Sequence, residues 1–109
     1  MKKKRTAAAP PADEADRQPG HYVFRLYIAG ASPRSMRAIV NTRKLCEAHL
    51  QGRYELEIID LLQHPARAVG EQIVVTPTLV KRLPLPLRRF IGDLSQTESI
   101  LRGLDLRSA

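Results

Sequence analysis

The chain has no tryptophan, one cysteine and few aromatic residues, three Tyr and two Phe in 109 positions. A lone cysteine, Cys46, excludes an intramolecular disulfide, and with it any dithiol centre of the Cys-x-x-Cys kind; this is the cysteine usage of a reducing compartment. No apolar run approaches the roughly 18–20 residues that a membrane-spanning helix requires. The basic start, Lys2-Lys3-Lys4-Arg5, resembles the first part of a secretory leader, but the stretch 6–20 supplies no apolar region behind it. A soluble, cytoplasmic protein is expected. His21, His49 and His64 stand far apart with no H-x-x-H or H-x-x-x-H pair, so no metal site is expected. No Gly-x-Gly-x-x-Gly or Walker-type loop is present, which leaves nucleotide binding unsupported. Ser32 and Ser35 have no His and Asp partners nearby for nucleophilic catalysis. The chain reads as a non-enzyme without a cofactor.

Negative charge is also in short supply. Eighteen Lys and Arg against eleven Asp and Glu leave a net charge of +7. The first twenty residues carry +2 of it and the remainder +5. Such a balance favours acidic partners, or solubility through self-repulsion. No RNA- or DNA-binding motif accompanies the charge, so a nucleic-acid module is only an alternative.

Residues 1–20 mix Lys, Arg, Ala, Pro, Asp and Glu with almost no large apolar side chain. They cannot offset their own ordering entropy and are expected to be a disordered basic extension. One folded domain should span 21–109. Residues 22–30, Tyr-Val-Phe-Arg-Leu-Tyr-Ile-Ala-Gly, suit a largely buried strand. Ser32 is placed to cap a helix with Pro33 at its first position, running to about Leu50. Met36, Ile39, Cys46 and Leu50 form its expected apolar stripe, with Leu45 pointing elsewhere. Residues 54–62 read as a second strand, parallel to the first through a right-handed crossover. A short helical stretch from His64 to Gly70, a strand over 73–80 and a short strand over 88–94 follow. Ser95 and Glu98 have the spacing of a capping box that opens a last helix ending near Gly103.

The resulting order, βαβ-α-ββα, is that of the thioredoxin-like α/β fold, with Thr76-Pro77 placed as its proline-bearing turn and a cis bond expected there. The loop 31–35, where a redox member would carry its cysteines, has none. A buried structural role is expected for Cys46. The sequence goes further. Leu26-Tyr27-Ile28-Ala29-Gly30, Ser32-Pro33-x-Ser35, Ile59-Asp60, Thr76-Pro77-Thr78-Leu79, Arg88-Arg89-x-Ile91-Gly92-Asp93-Leu94-Ser95 and Gly103-Leu104-Asp105-Leu106 together resemble the KaiB family, over roughly 22–106.

That resemblance implies a regulatory protein that binds a KaiC-type ATPase and modulates its phosphorylation cycle, in circadian or clock-like signalling. It also implies two folds for one chain: a thioredoxin-like state, and a ground state in which the C-terminal half is rebuilt and the protein is a homo-oligomer, a dimer or tetramer. A KaiA-like or histidine-kinase partner is a further implication. Gly103 and Asp105 match family positions where substitution biases the fold-switch equilibrium. Pro77 is placed with them. Gly103 is expected to end its helix at positive φ. Tyr54, Glu55 and Glu57 on the second strand are expected to face a partner by strand addition, with Gln72, Arg88 and Arg89 as further partner-binding residues. Gln72 is expected alongside that second strand. This chain departs from the family at Gln72, where a Lys is common, and at Ser108, where a Tyr is typical. It also carries a basic extension at its start in place of an acidic tail. A thioredoxin-fold redox protein remains the other alternative.

Overall fold

A computed structural model describes residues 20–106 of the chain. The expected disordered extension, up to residue 19, and Ser108 lie outside the described residues.

The chain runs β1 (Tyr22–Ile28), α1 (Pro33–His49), β2 (Tyr54–Asp60), α2 (Ala66–Glu71), β3 (Thr78–Leu83), β4 (Arg88–Ile91) and α3 (Thr97–Gly103). The strands form one mixed sheet in the order β2-β1-β3-β4. β1 pairs in parallel with β2, Tyr22 beside Tyr54 through Ile28 beside Asp60, as the crossover rule requires. β3 runs antiparallel to β1 and β4 antiparallel to β3. β1 is therefore central, and β2 and β4 are the two edges.

Local chemistry sets the element ends. Ser32 Oγ accepts the Ser35 N–H at 3.1 Å and Pro33 sits in the first turn, so α1 starts where expected. β2 stops at Asp60, whose Oδ1 accepts the N–H groups of Gly30 and Leu62, both at 3.0 Å. This one carboxylate ties the loop after β1 to the turn after β2.

Four expectations need correction. The buried face of α1 is Ser35, Ala38, Thr42, Leu45 and Cys46, whereas Met36 is exposed. Leu45, expected to point elsewhere, faces the core, and the rest of the stripe is small residues, which let the helix lie close on the sheet. The third strand begins at Thr78 rather than 73 and reaches Leu83. Pro77 has no N–H for a ladder; the N–H of Ile73 goes back to Ala68 O at 2.8 Å, and Thr78 Oγ1 donates to Val75 O at 2.7 Å. Thr76–Pro77 is cis. The capping box does not form. Ser95 turns its N–H towards Asp93 Oδ1, at 3.1 Å, and α3 starts after Gln96 with no side-chain cap bond. Lastly, Gly103 is not the positive-φ residue at the helix end; that residue is Asp105, at φ 60°.

Two apolar layers flank the sheet. The larger joins Phe24, Leu26 and Leu79 to the inner faces of α1 and α3. Tyr22 OH donates to Leu104 O at 3.2 Å and holds the end of α3 to β1. The smaller layer, Tyr27, Ile59 and Val80, lies on the opposite face with Leu61 and Ile73 packed against it. That second face is otherwise covered by charge: Glu71 bridges Arg82 and Arg25, and Glu57 bridges Arg25 and Arg67.

Candidate functional site

The corner where a thioredoxin-like enzyme would work lies between the loop after β1 and Pro77. Here that loop is Ala31-Ser32-Pro33-Arg34-Ser35, and its serines cap a helix instead of attacking a bond. Cys46 is fully buried mid-helix, and burial, helped by the neighbouring Glu47 charge, pushes its thiol up to about 12. A thiol held so far above neutral pH offers almost no thiolate, so it cannot act as an exchange nucleophile. Among the described residues, no group of three His, Cys, Asp or Glu side chains is placed to hold a metal ion.

The six expected partner-binding residues fall into two groups at opposite edges of the sheet. Tyr54, Glu55 and Glu57 lie on edge strand β2. Tyr54 OH donates to Glu47 Oε2 at 2.5 Å, and this bond raises the phenol pKa above its ordinary value. Glu55 sits 3.1 Å from His21 Nε2, while Glu57 meets Arg25 at 3.3 Å and Arg67 at 3.4 Å. Among the described residues the outer edge of β2 has no strand beside it, which leaves main-chain groups for an added strand.

Arg88 and Arg89 lie on the other edge, on β4. Gln72 belongs with them and not beside β2. The short helix α2 crosses the sheet, with Arg67 reaching Glu57 on β2 and its far end meeting β4. There Arg89 donates to Glu71 O at 2.8 Å and to Gln72 O at 3.4 Å. Gln72 caps α2 in the left-handed region, at φ 58°. Arg88 points away from this cluster, because alternate strand positions face opposite sides of the sheet; it pairs across the ladder with Lys81.

Lys81 is a residue that reading the sequence missed. It lies inside β3 and is only 3% exposed. Its ammonium is held below the ordinary lysine value, chiefly by burial and then by Arg88, with Asp105 pulling the other way. The only sequence signal is a Lys closing the apolar run 78–80. A depressed folded-state pKa means that the charged form is penalised in the fold. The resulting stability is full above the ordinary value of 10.5 and is lost as pH falls through the lowered value. At neutral pH the penalty is present. Lys81→Met is expected to stabilise this fold by about 1 kcal/mol at pH 7. Urea melts should show that margin over wild type shrinking as pH rises towards 10.5; a margin that does not vary with pH contradicts this account.

The three residues expected to bias a change of fold have separate geometries. A Cβ on Gly103 would lie 2.6 Å from Phe90 Cε1 and 2.9 Å from Cζ, so this glycine permits α3 to lie against β4. Asp105 holds a left-handed turn beyond the helix. Pro77 is buried, and its carbonyl accepts the Gly92 N–H at 3.0 Å, tying the start of β3 to the end of β4.

The KaiB domain matches residues 25–106. The chain is 55% identical over 84 residues to the "Circadian clock protein KaiB3" of Synechocystis sp., covering 77% of this chain and 82% of that protein. It is 49% identical over 85 residues to the "Circadian clock oscillator protein KaiB" of Synechococcus elongatus, covering 78% and 83%. Among solved structures, the N-terminal domain of Synechococcus elongatus SasA superposes with a TM-score of 0.67 at 18% identity, over 95% of this chain and 97% of that one. Mitochondrial thioredoxin 3 of Saccharomyces cerevisiae superposes at 0.64 with 15% identity, over 85% and 83%. These likenesses establish the thioredoxin-like fold.

Proposed function

The chain belongs to the KaiB family, and from that premise we propose that it is a non-enzymatic clock-type regulator that binds a KaiC-type ATPase and modulates its phosphorylation cycle by changing fold. The observation that carries the binding reading is the corner described above. The thioredoxin-like frame is complete, yet its catalytic loop holds no thiol and Cys46 is buried with its pKa near 12. A redox reading has no nucleophile to stand on.

The distribution of backbone strain supports the change of fold. Among the described residues, the first half of the chain has positive φ only at Gly20, Gly30 and Gly52. Non-glycine positive φ occurs at Gln72, Leu94 and Asp105, all in the second half. Each left-handed non-glycine residue costs roughly 1–2 kcal/mol, so together they cost a few kcal/mol. That is the size of gap across which one sequence can support two packings. The thioredoxin-like state is then a minor or poised state that a KaiC-type ring captures by binding it better than the oligomeric ground state.

The two edge groups suit two contacts. β2, with Tyr54, Glu55 and Glu57, offers strand addition. Gln72 and Arg89 offer donors for acidic groups at the far edge, and Arg88 offers its guanidinium from the opposite face of the same strand. A ring and a second protein, KaiA-like or a histidine kinase, can be held at once without competing.

The test is size-exclusion chromatography with light scattering, on the protein alone and with its cognate KaiC homologue and ATP, followed for hours. A free dimer or tetramer that slowly gives way to a ring-bound monomer is expected. A failure to bind the ring in any nucleotide state would end the partner assignment.

A further inference from the structure

A cavity of about 520 Å3 opens where the first turns of α1 face the β4–α3 loop and the start of α3. Its polar lining is unbalanced. Arg34 and Arg37 stand on the α1 wall, with Ser95, Gln96 and Ser99 opposite, and Asp93 is the one carboxylate among them. Asp93 is already engaged. It accepts the Ser95 N–H at 3.1 Å and Arg37 Nε at 3.2 Å. The bonds from Ser95, ahead of that from Arg37, hold its carboxyl below the usual range, so it stays charged at neutral pH.

The donors, by contrast, are in surplus. Arg37 uses only Nε on Asp93. Arg34 has no hydrogen-bond or ion-pair partner among the described residues. Its Nη2 lies 3.7 Å from where a Cβ on Gly92 would stand, over bare backbone at φ 112°. The loop that carries Gly92 and Asp93 is fixed from two sides: Asn41 Nδ2 donates to Asp93 O at 2.8 Å, and Gly92 N–H donates to Pro77 O at 3.0 Å. That wall of the cavity therefore needs no ordering when a ligand binds.

We infer that this cavity binds a phosphate monoester, with Arg34 and the free end of Arg37 on the phosphoryl oxygens and the Ser99 hydroxyl completing the donor set. A carboxylate presents two oxygens and one charge, which a single guanidinium satisfies. A phosphoryl group presents three oxygens and close to two charges, which matches two guanidiniums and a hydroxyl. The room around the donors admits the group that the phosphate is attached to. The site does not depend on a KaiC-type partner, so either proposal can fail without the other.

The experiment is an NMR titration of the assigned full-length protein with inorganic phosphate and, separately, with O-phosphoserine, at ionic strength held constant with chloride. Saturable shifts of the Gly92, Ser95 and Ser99 amides are expected for at least one probe. Arg34→Gln removes one charged donor from an exposed position with no partner to lose, and should weaken binding about tenfold. Arg34→Lys should recover part of that loss. Tighter binding of phosphoserine than of phosphate assigns the site to a phosphorylated partner, and equal binding to the free ion. Shifts that chloride reproduces, or a midpoint unchanged by Arg34→Gln, overturn the proposal.

Discussion

Gly103→Val is expected to cost the thioredoxin-like state about 2 kcal/mol, roughly a thirtyfold fall in its population. The Cβ would arrive 2.6 Å from the ring of Phe90, which is half-buried and packs against the main core, so the ring must swing out or α3 must lift from β4. Valine adds two methyl groups beyond that Cβ. Its better helix propensity than glycine returns only a few tenths of a kcal/mol. Alanine is the weaker probe: it regains about 1 kcal/mol of helix propensity and needs only a small shift of the ring. The change should be read twice, by denaturation and by sizing, because under the proposed fold change the lost population goes to the oligomer instead of the unfolded chain. A valine variant as stable and as monomeric as wild type would show that Phe90 yields freely and that Gly103 is no steric gate.

Leu26→Ala should behave in the opposite way. Leu26 is fully buried at the middle of β1, paired with Ile58 on one side and Leu79 on the other. Its truncation should cost about 3–4 kcal/mol, a large share of the 5–15 kcal/mol that a domain of this size commands. The βαβ unit that contains it is, on the family reading, common to both folds. The loss should therefore appear as unfolding in urea with no compensating rise in oligomer. A selective rise in oligomer would mean that β1 also repacks.

These contrasting outcomes follow from how unevenly the structure could be read from sequence. Ser32-Pro33 announced the start of α1 because capping is local chemistry. The parallel pairing of β1 with β2 followed from the crossover rule, and the run 22–28 is apolar enough to be unmistakable. The C-terminal half was harder to read. Ser95 and Glu98 have the spacing of a cap, but Asp93, two residues earlier, offers a competing acceptor and takes the Ser95 N–H. Pro77 moved the start of β3 because a residue without an N–H cannot join the ladder. The buried face of α1 rests on Ala38 and Thr42, whose small size is what lets the helix approach, and an apolar stripe does not show it. How the expected partner-binding residues group in space was not visible. Gln72 joins Arg89 because α2 crosses the sheet, and that is a tertiary fact. Lys81 and Arg34 escaped notice because a lysine ending an apolar run and an arginine after a proline look like ordinary surface charge.

The central place of β1 has a consequence for pace. Its second edge is occupied by β3, with Val23 to Tyr27 set against Leu83 to Thr78. Rebuilding the C-terminal half must therefore strip β3 from the middle of the sheet, which is partial unfolding rather than a hinge motion. Unfolding steps quicken about 3–6-fold for each 10 °C. A timer that drew its delay from this conversion alone would run several times faster on a warm day than on a cool one. The sizing time course, repeated at two temperatures, reads that dependence directly. A conversion nearly indifferent to temperature would mean that the β1–β3 ladder survives the change.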